Sequence, residues 1–140
     1  MSELFEKSIR TLELPIVLEQ LSACAVSEAA RNKCRHAFPA TDKDDVVRLL
    51  NETDAAKERM QLHGAPNFAG VKDVSAALQR ADQGGMLNTR ELLDIAGVLS
   101  AARRVRDYDA ERKGEPTVID RLFSAIHTNR YLEDKIHSAI

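Results

Sequence analysis

Three groups of side chains have the types and spacing to do chemistry. Cys24, Cys34 and His36 offer thiol and imidazole ligands. Structural zinc sites pair their ligands at roughly two- to four-residue spacing, so that one tight turn presents both. The two cysteines lie much farther apart and no second CxxC-like half exists, so the expectation is two small thiols, buried or half-buried. Glu133 and Asp134 each precede His137 by about one helical turn, which puts carboxylate and imidazole on one face. A di-metal site in a helical bundle needs two such motifs and further carboxylates. With one, the residues read as a surface helix carrying an ordinary i,i+4 pair, and no metal is expected.

The third group is basic: Arg103, Arg104 and Arg106, followed by Arg112 and Lys113. Asp107, Asp109 and Glu111 interleave with it, whereas a phosphate-binding stripe carries uncompensated positive charge. Arg103, Arg104 and Arg106 are therefore candidates for nucleic-acid contact or for contact with another part of a longer protein. Acids on an adjacent helix would serve them equally well. The glycines form neither GxxxxGK(S/T) nor GxGxxG, and GxSxG and HExxH are missing too. His36, His63, His127 and His137 each fall near a predicted helix C-terminus, where imidazolium complements the dipole. No catalytic or cofactor-binding constellation emerges, so the segment is expected to be no enzyme.

The elements that hold these residues are helices. Residues 3–12 and 15–25 carry apolar positions at helical spacing, with Pro15 in a first turn, where its missing N–H costs nothing. Ser27 is an N-cap for a helix through about Ala37. The spacing predicts a long helix from Thr41, boxed by Asp44, to His63. Val46, Leu49, Leu50, Thr53, Ala56 and Met60 form its apolar stripe, and Gly64 its stop. In the breaker-rich stretch 64–70, Phe68 is expected to plug a gap between helices. Asp73 caps a helix over 74–83 whose inner side is Val74, Ala77, Leu78 and Ala81. Asn88 and Glu91 make a capping box for a helix reaching as far as Lys113. Its apolar face, Leu92, Ile95, Ala96, Leu99 and Ala102, is continued by Arg103 and Arg106. Gly114-Glu115-Pro116 breaks the chain before helical stretches 117–127 and 129–140. Short connections favour antiparallel neighbours, so the expected fold is all-α: a multi-helix antiparallel bundle.

Composition agrees. The chain has 140 residues, 44% hydrophobic and 30% charged, which is globular rather than disordered. Twenty Lys and Arg against 22 Asp and Glu leave a net charge of −2, which excludes a histone-like or polybasic binder. No apolar run approaches the ~18 residues of a membrane span, Met1-Ser2-Glu3-Leu4 lacks signal-peptide features, and two cysteines suit a reducing cytoplasm. Residues 1–140 read as a single helical domain or a fragment of a larger helical core. The pattern stops in mid-helix at Ile140, which suggests truncation.

Thr11-Leu12-Glu13 through Leu18-Glu19-Gln20-Leu21 resembles the opening of the second MutS-type family, bacterial MutS paralogues without a mismatch-reading domain. Leu49-Leu50-Asn51-Glu52-Thr53-Asp54-Ala55 strengthens the resemblance. It is closest from Gly64 to Tyr108, through Pro66, Phe68, Gly70, Val71-Lys72-Asp73, Arg80-Ala81, Gly84-Gly85, Leu87, Glu91-Leu92-Leu93, Ile95-Ala96, Leu99 and Arg103-Arg104. The resemblance implies the first part of the MutS core domain, joining lever helices to a dimeric ATPase. It also implies a parent that uses ATP and Mg and carries a C-terminal Smr endonuclease domain. Such parents suppress homologous recombination through branched DNA, and bind collided ribosomes to rescue stalled translation. Walker and Smr motifs have no counterpart in this sequence, so the family's catalytic residues do not transfer and the segment is expected to bind no ATP. Its partners would be the remainder of the parent chain and a second copy in a homodimer, with no membrane. The alternative is an autonomous helical protein–protein interaction module.

Overall fold

Eight α-helices and no strand occur among the described residues, 3–111 and 114–140 of a computed structural model whose side chains are described from Lys7 onward. They are α1 Glu3–Thr11, α2 Leu14–Cys24, α3 Glu28–Arg35, α4 Lys43–His63, α5 Ser75–Asp82, α6 Thr89–Ala110, α7 Asp120–Ser124 and α8 Arg130–Ala139. Where the sequence offered one domain or a piece of a larger core, the chain divides into two compact units, Met1–Pro39 and Ala40–Ile140.

In the first unit α2 packs on both α1 and α3. Glu13, with a φ of 54°, turns the chain, and Pro15 lies in the first turn of α2. Ser27 caps α3 by accepting from the Ala30 amide at 3.2 Å. Arg35 then reaches back to Glu19 at 3.2 Å and to Glu28 at 3.3 Å, tying α3 to α2. The helix stops at Arg35, short of the expected Ala37.

In the second unit the cap of α4 is Asp42, not Thr41. One Asp42 oxygen accepts from the amides of Asp44 and Asp45 at 2.9 and 3.2 Å, satisfying two orphan donors at once. Asp73 accepts from the Ser75 amide at 2.9 Å; α5 then buries Ala77 but leaves Leu78 half exposed. The capping box of α6 closes in both directions, Glu91 N–H to Asn88 at 3.0 Å and Asn88 N–H to Glu91 at 2.9 Å. α6 ends at Ala110; Arg112 and Lys113 lie outside the described residues. α7 is shorter than the expected 117–127. The Asp120 side chain accepts from the Thr117 amide at 3.0 Å and hydroxyl at 2.6 Å, which closes a separate turn ahead of the helix. Asn129 caps α8 through the Leu132 amide at 3.0 Å.

The core lies between α6 and α8, where Ile95, Ala96 and Ile136 are buried under Val74, Leu87, Leu92 and Leu99. The two helices run antiparallel, since Arg103, farther along α6, meets Glu133, nearer the start of α8. Segment 64–72 is stitched along α6 in the opposite sense. Lys72 bonds Asp94 at 2.5 Å, Arg104 donates to the Ala69 carbonyl, and the Tyr108 hydroxyl donates to the Gly64 carbonyl at 2.9 Å. Between these stitches Gly70, at a φ of +87°, crosses Gly97 backbone to backbone. A Cβ on either glycine would sit 3.3 Å from the other's carbonyl oxygen.

Candidate functional site

The stripe predicted for α4 faces an apolar groove rather than a closed core. The groove has a volume of about 560 Å³ and runs between α4, the 64–70 loop, the second half of α6, and α7. Leu49, Ala56 and Met60 line one side; Val105, Leu122 and Phe123 line the other. Phe68 also lines it and stays 42% exposed, so it borders the gap it was expected to plug. Val46 and Leu50 are exposed outside it.

One charged residue holds the groove together. Arg59 is 5% exposed, the only buried residue of α4. Its guanidinium donates to Asp109 at 2.8 Å, to the Thr117 hydroxyl at 2.8 Å and to Asp120. It also stacks over the Phe123 ring at 4.5 Å. A single side chain of α4 thus binds the end of α6, the start of α7 and an aromatic wall of the groove. Farther along the same edge Glu52 accepts from Arg121 of α7 at 2.5 Å and from Arg48 at 3.2 Å. Hydrogen bonding to Arg121, aided by Arg48, holds the Glu52 carboxyl below its ordinary range.

Arg59 was not among the candidate residues read from the sequence, although it lies near the negative end of the α4 dipole. A signal for more was present: Glu52 and Arg59 flank the stripe two turns apart on one edge, where side chains can reach across to a facing helix. Their partners are far along the chain, so the pairing itself was not readable.

The arginines singled out from the sequence do not form one patch. Arg103 makes a two-pronged bond to Glu133 at 3.2 and 3.0 Å. Arg104 holds Ser100 at 3.0 Å and the Ala69 carbonyl. Arg106 donates to the Phe123 carbonyl at 2.9 Å, capping the end of α7. Each ties α6 to a different neighbour. Glu133 is 5% exposed, which corrects its reading as a surface residue; hydrogen bonding from Arg103 holds its carboxyl below the ordinary range despite burial. Asp134 keeps a surface pair with Arg130 at 3.7 Å.

Cys24 is exposed and Cys34 half-buried, and both are free. Among the described residues no group of three or more His, Cys, Asp or Glu is arranged to hold a metal. His36 caps α3, its Nδ1 lying 2.8 Å from the Asn32 carbonyl, and His63 and His137 sit in the last turns of α4 and α8. His127 falls beyond the end of the shortened α7. Among the described residues no helix is long and apolar enough to cross a membrane.

No family model matches the chain. Endonuclease MutS2 of Ruminiclostridium cellulolyticum is 36% identical to it over 137 residues, 96% of this chain and 17% of that protein. The chain is homologous to a segment of MutS2. Endonuclease MutS2 of Pelotomaculum thermopropionicum is 33% identical over 135 residues, with the same 96% and 17% coverage. The MutS2 of Lachnoclostridium phytofermentans is 37% identical over 108 residues, 77% of this chain and 14% of that protein. The chain therefore spans only about 14–17% of the length of these curated MutS2 relatives.

Proposed function

We propose that this chain is a non-catalytic structural segment of a MutS-family ATPase and nuclease, in which it links lever helices to the ATPase. The observation that carries the reading is the reach of the MutS2 match, 96% of this chain against 17% of the relative. Identity that runs almost end to end here and covers so little there is what one part of a longer machine gives. The exposed apolar side chains support it: Ile16, Val17 and Leu21 on α2, and Leu49, Leu50 and Met60 on α4, are faces that further chain would cover. ATP, Mg and nuclease chemistry then belong to other domains of a cytoplasmic homodimer acting on branched DNA or ribosomes. Its tasks are suppression of homologous recombination and rescue of stalled ribosomes.

The segment's role is mechanical, relaying motion through packed helices. The test is made in the full-length parent, with Leu92→Ala and Leu99→Ala on the α6 face that packs on the core. ATP turnover is expected to lose its response to DNA or ribosomes while the protein stays folded. Unchanged coupling in a folded variant overturns the role. Arg103, Arg104 and Arg106 act in this reading as internal ties. Changing all three to Ser should leave the salt dependence of nucleic-acid binding unaltered, and a flatter slope would make them phosphate ligands instead.

The groove beside α4 favours a second reading, an autonomous protein–protein interaction module. A chain that sediments as a monomer and melts cooperatively supports that module; self-association supports the segment.

A further inference from the structure

We infer that Arg59 is a latch: engaged, it holds α4 against α6 and α7, and released, it lets α4 swing away and open the apolar groove. Apolar contact between α4 and its neighbours is thin. Even the large apolar side chains of α4 that line the groove, Leu49 and Met60, are 43% and 49% exposed, and Arg59 alone is buried. What crosses the groove is polar: Arg59 to Asp109, Thr117 and Asp120, and Glu52 to Arg121.

Buried ion networks gain little net free energy, because desolvation offsets most of the attraction, and their best-attested use is to fix register or act as a switch. Here the engaged state carries a further cost, since the Arg59 Nε is buried without a hydrogen-bond partner among the described residues.

The pivot is also in place. The Tyr108 hydroxyl pins the Gly64 carbonyl at 2.9 Å, directly beyond the last residue of α4. Gly64 has a φ of 75°, and a Cβ there would meet nothing within 4 Å. The 21 residues of α4 span roughly 30 Å, so a small rotation about Gly64 is magnified toward Lys43. Glu52–Arg121 lies farther from the pivot and its Arg121 end is exposed, which makes it a weaker, salt-screened second catch. Release also uncovers Phe123, whose ring the guanidinium covers. The latch is a property of this chain and does not depend on the MutS2 parent.

The test is a distance between α4 and the end of α7, measured by pulsed electron paramagnetic resonance on the whole chain. Spin labels go on Asn51→Cys and Ala125→Cys, both exposed positions, with Cys24→Ser and Cys34→Ser. With Arg59 present, one narrow distance is expected. Arg59→Gln should add a second, longer population and raise apolar-dye fluorescence several-fold, with the helical circular dichroism retained. Arg59→Lys, which keeps the charge without the fork, should shrink that second population. A single unchanged distance in folded Arg59→Gln overturns the latch, because a merely structural arginine would lower the melting temperature without moving α4. If Arg59→Gln does not fold, Asp120→Asn decides: a second population supports the latch, and one unchanged distance overturns it.

Discussion

α4 and α6 are the two long helices of the second unit, and their local signals are closely matched. Each has an acceptor side chain at its N-cap, acids in its first turn and a regular apolar stripe. Their surroundings differ. α6 buries Ile95, Ala96, Ala101 and Val105, whereas α4 buries only an arginine. A stripe at helical period specifies a face that can be buried, and the facing element determines whether it is. α8 brings Ile136 onto α6. Opposite α4 lie the five-residue α7, a loop and the last turns of α6, too little to cover a helix of 21 residues.

Truncation in the core should produce the largest separation between the two regions. Ile136→Ala, with a side chain 7% exposed in the wild type, is expected to cost about 2–5 kcal/mol in urea denaturation. A loss below about 1 kcal/mol would make the α6–α8 contact no better packed than the groove. Glu133→Gln comes next, at about 1–2 kcal/mol, because it weakens the acceptor for Arg103 in a buried setting. The pH dependence sharpens this. Glu133 has a folded pKa below its ordinary value of 4.5, so on acidification the unfolded chain takes up its proton first. The stability from the pair is complete above that value and is lost as pH falls through the lower folded one. Denaturation curves at neutral and acidic pH should therefore converge partly in Glu133→Gln.

Asn88→Ala removes the cap of α6 and should cost about 1 kcal/mol by the same assay. The smallest effect is expected for Leu50→Ala on α4: at 59% exposure in the free chain, the change should stay within about 0.5 kcal/mol. A loss comparable to that of Ile136→Ala would mean that α4 is covered in solution and would erase the contrast.

Helix existence was legible wherever a cap and a period coincided. Asn88 with Glu91, and Ser27, cap as their types and positions require, because a cap bonds amides only two or three residues away. Boundaries were less legible. Asp42 displaced Thr41 because a carboxylate oxygen can serve two amides, and Thr117 with Asp120 diverted a helical pattern into a turn. The candidate site was legible only as the α4 stripe. Glu133 looked like half of a surface pair, yet its partner is Arg103 across the α6–α8 contact. The basic cluster looked like one patch and became three separate ties, because neighbouring residues on a helix point in different directions.

Local pattern in the amino-acid sequence sets the all-helical class, the N-caps of α3 and α6, the stop at Gly64 and the stripes that need cover, since all of these rest on interactions a few residues long. Only the tertiary structure decided which stripe is buried, which carboxylates Arg59 and Arg103 hold, and that Gly70 lies on Gly97. Those contacts join residues dozens of positions apart, and their strength depends on how completely water is excluded between them, which no local pattern encodes.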